Sequence, residues 1–240
     1  MRLRDWDKLN QFFAKLSGQH LRLSVFSPAC SQDFEDKLLL LFLRLAVCSA
    51  LRLFWDAERH LKDYTGAISD FNKTIELNPK DALPYAGLGF VQNDRFQFES
   101  ALKNFQKALQ LDPSQDEWRF RIWLIQSRLN DWFGETEEQK KYAVSLKGKK
   151  ITWSAEIGLF LVGSVYEKNF LNCAKSSDQK TQNWWQCQAN YYVGMEHLIA
   201  GDKVGAMDFF QQCLNTKETS LTVYNSAEAE FNALKKIIPP

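Results

Sequence analysis

A chain of 240 residues that is 45% hydrophobic buries a core sized for one domain or one continuous array of repeats. With 30 Lys plus Arg against 29 Asp plus Glu, the net charge is +1, without the basic excess that a nucleic-acid footprint requires. The five cysteines, Cys30, Cys48, Cys173, Cys187 and Cys213, include no CxxC pair, so no zinc or thioredoxin-type centre is expected.

Residues 1–47 give no repeat register and are read as one or two helices of unassigned placement. The apolar run Leu38 to Val47 is interrupted by Arg44 and begins far from Met1, unlike a secretory signal. Arg44 and Arg52 also break the charge-free stretch of about 20 residues that a membrane span needs. Leu45-Ala46-Val47-Cys48 only loosely resembles a lipobox, and a buried amphipathic helix is the preferred reading.

From residue 48 to 115 the chain repeats itself. Ala67, Phe71 and Pro79 recur as Ala101, Phe105 and Pro113, each pair 34 residues apart. Ala101, Phe105 and Ala108 fall at three- and four-residue steps, hence on one helical face. Small alanines allow two helices to approach and Phe105 fills the space between them. Pro113 cannot continue a helix and drives Asp112 out of the helical region, so each unit stops sharply. In the preceding helix Gly89 has no side chain, which permits a close crossing.

Residues 116–181 form a divergent third section. Trp118 to Leu129 predicts a helix, whereas Glu135 to Leu146 is charged and predicts a short, poorly covered one. Trp153 to Gly163 predicts an apolar helix, Val165 to Ala174 an amphipathic one, and Ser176 to Thr181 a polar loop. Cys173 and Cys187 flank that loop; they are read as free thiols, with pairing in an oxidising compartment as the alternative. Trp184 and Trp185 are adjacent and so point about a hundred degrees apart on a helix, one of them inward.

The last unit, in residues 182–240, starts near Trp185. Tyr191, Gly194 and His197 lie on its first helix, Gly201-Asp202 make the turn, and Ala206, Phe210 and Cys213 repeat the small-large-small slots. Val223 to Lys236 predicts a terminal helix that covers the last apolar face through Ala227, Phe231 and Leu234.

These slots and their 34-residue period resemble the tetratricopeptide-repeat family, most strongly between Asp56 and Pro113. Trp55 departs from that pattern, standing where the first unit would carry its close-contact glycine. The resemblance implies an all-α, right-handed solenoid of antiparallel helix pairs with a C-terminal capping helix. Trp118 to Leu234 also resembles the C-terminal half of NlpI-type bacterial lipoproteins and related repeat proteins. The shared features are Ile122-Trp123-Leu124, Leu159-Phe160-Leu161-Val162-Gly163, and Tyr191-Tyr192-Val193-Gly194 with Gly201-Asp202 and Ala206. This second resemblance implies an envelope-associated adaptor, whereas the lack of a clear signal points to the cytoplasm.

The first helices of such pairs line a concave groove that suits an extended peptide or a partner helix. The groove positions expected to bind a partner are Arg52, Asp56 and Arg59, then Ala86, Phe90 and Asn93, then Phe120, Leu124, Ser127 and Arg128. The Lys and Asn donors with which some repeats of this family clamp acidic chaperone tails are replaced by Ala86, Phe90, Phe120 and Leu124, so no chaperone-tail binding is expected. The three histidines, His20, His60 and His197, share no metal spacing, and HExxH, GxSxG and phosphate-loop motifs are absent. The expectation is a protein- or peptide-binding scaffold without catalysis, cofactor or metal. The alternative is a structural solenoid that forms homo-oligomers.

Overall fold

The computed structural model describes residues 64–130, 136–146 and 151–237. The expectations for residues 1–47, Trp55, Arg52, Asp56 and Arg59 fall outside them. The described residues form α-helices and no strand. In chain order these are α1 (Tyr64–Leu77), α2 (Ala82–Asp94), α3 (Phe98–Leu111), α4 (Asp116–Asn130), α5 (Glu137–Ser145), α6 (Trp153–Leu161), α7 (Glu167–Cys173), α8 (Gln179–Ile199), α9 (Lys203–Asn215) and α10 (Thr222–Lys235).

The helix starts follow from short polar side chains that accept from otherwise orphaned N–H groups. Asp81 accepts from the Leu83 amide at 3.1 Å to open α2, and Asp202 accepts from the Gly205 amide at 2.9 Å to open α9. Thr136 and Gln139 form a reciprocal capping box on α5. The start of α8 is set by Asp178, whose carboxylate accepts from the Thr181 amide at 2.8 Å. The helix therefore begins at Gln179, earlier than Trp185, and absorbs part of the expected polar loop. At the α3 end Asp112 is extended, at φ −135° and ψ 92°, as a residue before proline must be.

Packing follows the repeated slots. Ala101, Phe105 and Ala108 are fully buried, as are Ala206, Phe210 and Cys213. A Cβ on Gly89 would sit 2.8 Å from the Phe105 ring, and one on Gly194 would sit 2.7 Å from the Phe210 ring. Both helix crossings thus depend on a missing side chain. The short α5 is largely exposed, as its charge predicts, but it is anchored by Tyr142, which the sequence reading passed over. The Tyr142 ring packs edge-on to Trp123 at 5.3 Å and occupies the space a side chain at Gly158 would take.

Consecutive helices pack side by side, α2 on α3, α3 on α4, α8 on α9 and α9 on α10. The terminal helix α10 also packs on α8 and reaches back to α2, far away in sequence. Its Val223, Ala227 and Leu234 are buried, and Phe231 is half-buried. No helix of the described residues is long and apolar enough to cross a membrane.

Candidate functional site

The expected partner positions on α2 and α4 are largely buried. Ala86, Phe90 and Asn93 on α2 are buried, as are Phe120 and Leu124 on α4. Ser127 is half-buried, and Arg128 forms an ion pair with Glu230 on α10. Burial closes these positions to a second polypeptide, contrary to the expectation, and α10 packs beside them, on α2 and in hydrogen bonds to α4. The physical reason is the polar stripe Thr222, Ser226 and Glu230. Its four-residue spacing puts all three on one face of α10, opposite polar groups of α2 and α4.

Arg121 is the hub of that contact. It is 1% exposed. Its guanidinium donates to the Tyr191 hydroxyl at 2.5 Å, to Ser226 Oγ at 3.0 Å and to Thr222 Oγ1 at 3.4 Å. It lies 5.2 Å from the Phe90 ring centre and 4.6 Å from that of Tyr191. Ser226 in turn donates to Asp94 at 2.6 Å, and Glu117 accepts from the Thr222 hydroxyl. Burial pushes the Asp94 carboxyl up to about 6, against the lowering pull of Ser226 and Arg121. Burial likewise raises Glu230, opposed by its ion pair with Arg128. Four helices, α2, α4, α8 and α10, are thereby joined by one buried polar network.

Where α10 begins, the groove opens into a cavity of about 670 Å³. The first turns of α4, α6 and α10 border it, and its walls are Phe120, Trp153, Ile157, Trp184, Tyr192 and Val223. Trp153 stacks on Trp185 at 5.3 Å and on Phe170 at 5.5 Å, which holds the wall rigid. Trp184 points away from Trp185 and is 45% exposed, so this pair divides as adjacent helical residues must. Asp116 on the rim accepts from Arg119 at 2.7 Å, Ser154 at 2.9 Å and the Tyr142 hydroxyl at 3.2 Å. Its charge is therefore spent internally. The Glu117 carboxylate is 42% exposed at the same rim. A concave, aromatic-walled space of this size with a few polar rim groups suits an apolar side chain carried on a polar backbone.

The remaining features singled out in the sequence are structural ties. His197 lies between Asp202 Oδ2 at 2.7 Å from Nδ1 and Glu167 Oε2 at 3.0 Å from Nε2, linking α7 to the α8–α9 turn. The Cys187 neighbour is not Cys173 but Cys213, with the sulfurs 3.1 Å apart and both thiols buried, while Cys173 is exposed. The reason is the α8–α9 crossing, which brings the two slots together.

Arg121, Asp94 and Glu230 were not recognised from the sequence. The signal available there was the Thr222, Ser226, Glu230 stripe, a polar row on a helix whose neighbouring face is apolar. Compared with known proteins, the chain matches no family model and no curated sequence.

Proposed function

We propose that the chain is a non-catalytic, protein-binding scaffold built as a tetratricopeptide-type solenoid of antiparallel helix pairs with α10 as its cap. The 34-residue period supports the architecture, since Phe71 and Phe105 occupy equivalent slots and each packs on a glycine of α2. With α10 lying in the inner groove, the partner engages the mouth of that groove. The single observation that carries this reading is the half-exposed Trp184 on a cavity of about 670 Å³ whose other aromatic walls are the buried Phe120 and Tyr192 and the half-buried Trp153. An apolar side chain of a peptide enters between Trp184 and Val223, and the rim groups Glu117 and Gln188 meet its main chain.

The test is site-specific photocrosslinking in cells, with the photoreactive residue at Gln188 on the rim or at Tyr166, which is 83% exposed at the start of α7. The expected outcome is a discrete adduct from position 188 that disappears when Trp184→Ala is added, with none from position 166. Adducts of equal yield from both positions, or an adduct indifferent to Trp184→Ala, would overturn the reading. An adduct consisting of two copies of this chain would favour the oligomer-forming solenoid instead.

A further inference from the structure

The α8–α9 crossing holds two thiols against each other. Cys187 lies in the first half of α8 and Cys213 near the end of α9. Both are fully buried, and their sulfurs stand 3.1 Å apart. A disulfide bond measures about 2.05 Å, so closing one here moves each sulfur by roughly half an ångström. The approach of the two helices does not rest on the thiols, because it is set where the Phe210 ring fills the space left by Gly194.

Packing alone does not call for sulfur at either position. Ala82, Gly89, Ala101, Phe105 and Ala108 of the α2–α3 pair recur 105 residues later as Cys187, Gly194, Ala206, Phe210 and Cys213. The same crossing is built with alanine in both slots in one unit and with cysteine in both slots in the other. One cysteine in such a slot is a small apolar filler. Two that meet across a crossing are a place for a covalent tie. Cys173, the partner that the sequence spacing offered, is instead exposed at the end of α7.

We infer that Cys187 and Cys213 are a disulfide site, closed as α9 folds against α8, with a low-molecular-weight disulfide such as oxidised glutathione as the oxidant. One cysteine thiolate attacks a glutathione sulfur, which gives a mixed disulfide and one glutathione thiolate. The second cysteine, deprotonated in turn, attacks the protein sulfur of that mixed disulfide and expels the other glutathione. Two protein thiols are thereby oxidised, one small disulfide is reduced to two thiols, and the two protons pass to the released thiolates. The exchange precedes final closure. In the finished crossing both sulfurs are out of reach, and burial pushes the Cys213 thiol well above its ordinary range, which suppresses the thiolate. The bond ties the first half of α8, which carries Trp184, to the end of α9.

The experiment refolds the full, reduced chain from urea in a buffer of reduced and oxidised glutathione. Remaining thiols are then blocked, and the chain is digested with trypsin without reductant. The expected result is peptide 181–203 joined to peptide 204–217, two hydrogens lighter than their sum. The oxidised chain should melt roughly 5–10 °C above the reduced one, a difference that a reductant abolishes. Cys213→Ala, which places in α9 the residue of the equivalent α3 slot, should show no such difference. Three results would overturn the inference: both peptides recovered singly with blocked thiols, Cys187 joined to any other cysteine, or an oxidised chain that melts at or below the reduced one. The peptide map uses the parent chain, so it decides the matter even where a variant fails to fold. Trp184→Ala leaves the map unchanged, which separates a failure here from a failure at the groove mouth.

Discussion

Replacing Arg121 by Met tests how α10 is held. Methionine keeps most of the volume and the contact with Phe90 and Tyr191, but it removes the donors to Tyr191, Ser226 and Thr222. It also removes the positive charge that offsets the buried Asp94. Breaking a buried charged network from one side costs about 3–5 kcal/mol when the other partner stays ionised. The Asp94 carboxyl titrates at about 6 in the folded chain against an ordinary value of 3.8. Because the folded value is raised, the fold loses stability as pH rises through that window, and the loss is complete above it. Without Arg121 the carboxyl rises further, so the penalty of the substitution depends on pH. At about pH 8 Asp94 must ionise beside no cation and the full 3–5 kcal/mol is expected. At about pH 5 it is protonated, and only the lost hydrogen bonds count, about 1–2 kcal/mol. Urea unfolding followed by far-ultraviolet circular dichroism at the two pH values measures both. Adding Asp94→Asn to Arg121→Met should recover at least half of the loss at the higher pH. A penalty below about 1 kcal/mol, or one of equal size at both pH values, would refute the electrostatic account of the α10 contact.

Two further outcomes follow from the packing and from His197. Gly194→Ala places a methyl group 2.7 Å from Phe210 and 3.3 Å from the Ala206 carbonyl, a backbone atom that cannot swing aside. It should cost about 1–3 kcal/mol, read as a fall of several degrees in the melting temperature. Burial lowers the titration of His197, but its hydrogen bonds to Asp202 and Glu167 outweigh it and leave the imidazole above its ordinary 6.5. The stabilisation is therefore present below that value and lost as pH rises through the folded one, so His197→Ala should cost a few tenths of a kcal/mol at about pH 6, the solvent screening this largely solvated pair, and less at alkaline pH. Equal stability loss across that range, measured by chemical denaturation, would assign His197 to packing alone.

The pairing of α2 with α3 and of α8 with α9 was legible from the chain itself. Alanine, phenylalanine and alanine at helical spacing specify a face, and a glycine on the preceding helix specifies where that face lands. The proline after Asp112 marks the stop. Tyr142 escaped because it does for α5 what a phenylalanine does elsewhere, in a segment whose charge hides the pattern. The partner groove failed as a list of open positions for a different reason. Ala86, Phe90, Phe120 and Leu124 read as open positions on a helix face, but the structure buries all four side chains.

Local sequence determined what was local: helix starts at Asp81, Asp178 and Asp202, the stop before Pro113, and the small-large-small slots that let neighbouring helices nest. These depend on residues within one or two turns of each other, where side-chain size and hydrogen-bonding capacity act directly on the backbone. Only the tertiary structure decided that α10 returns across α2 and α4, that the Arg121 guanidinium donates to hydroxyls of α8 and α10, and that Cys187 faces Cys213. Each of those contacts joins residues that are remote along the chain. Their partners are selected by how helices distant in sequence pack together, which no single segment encodes.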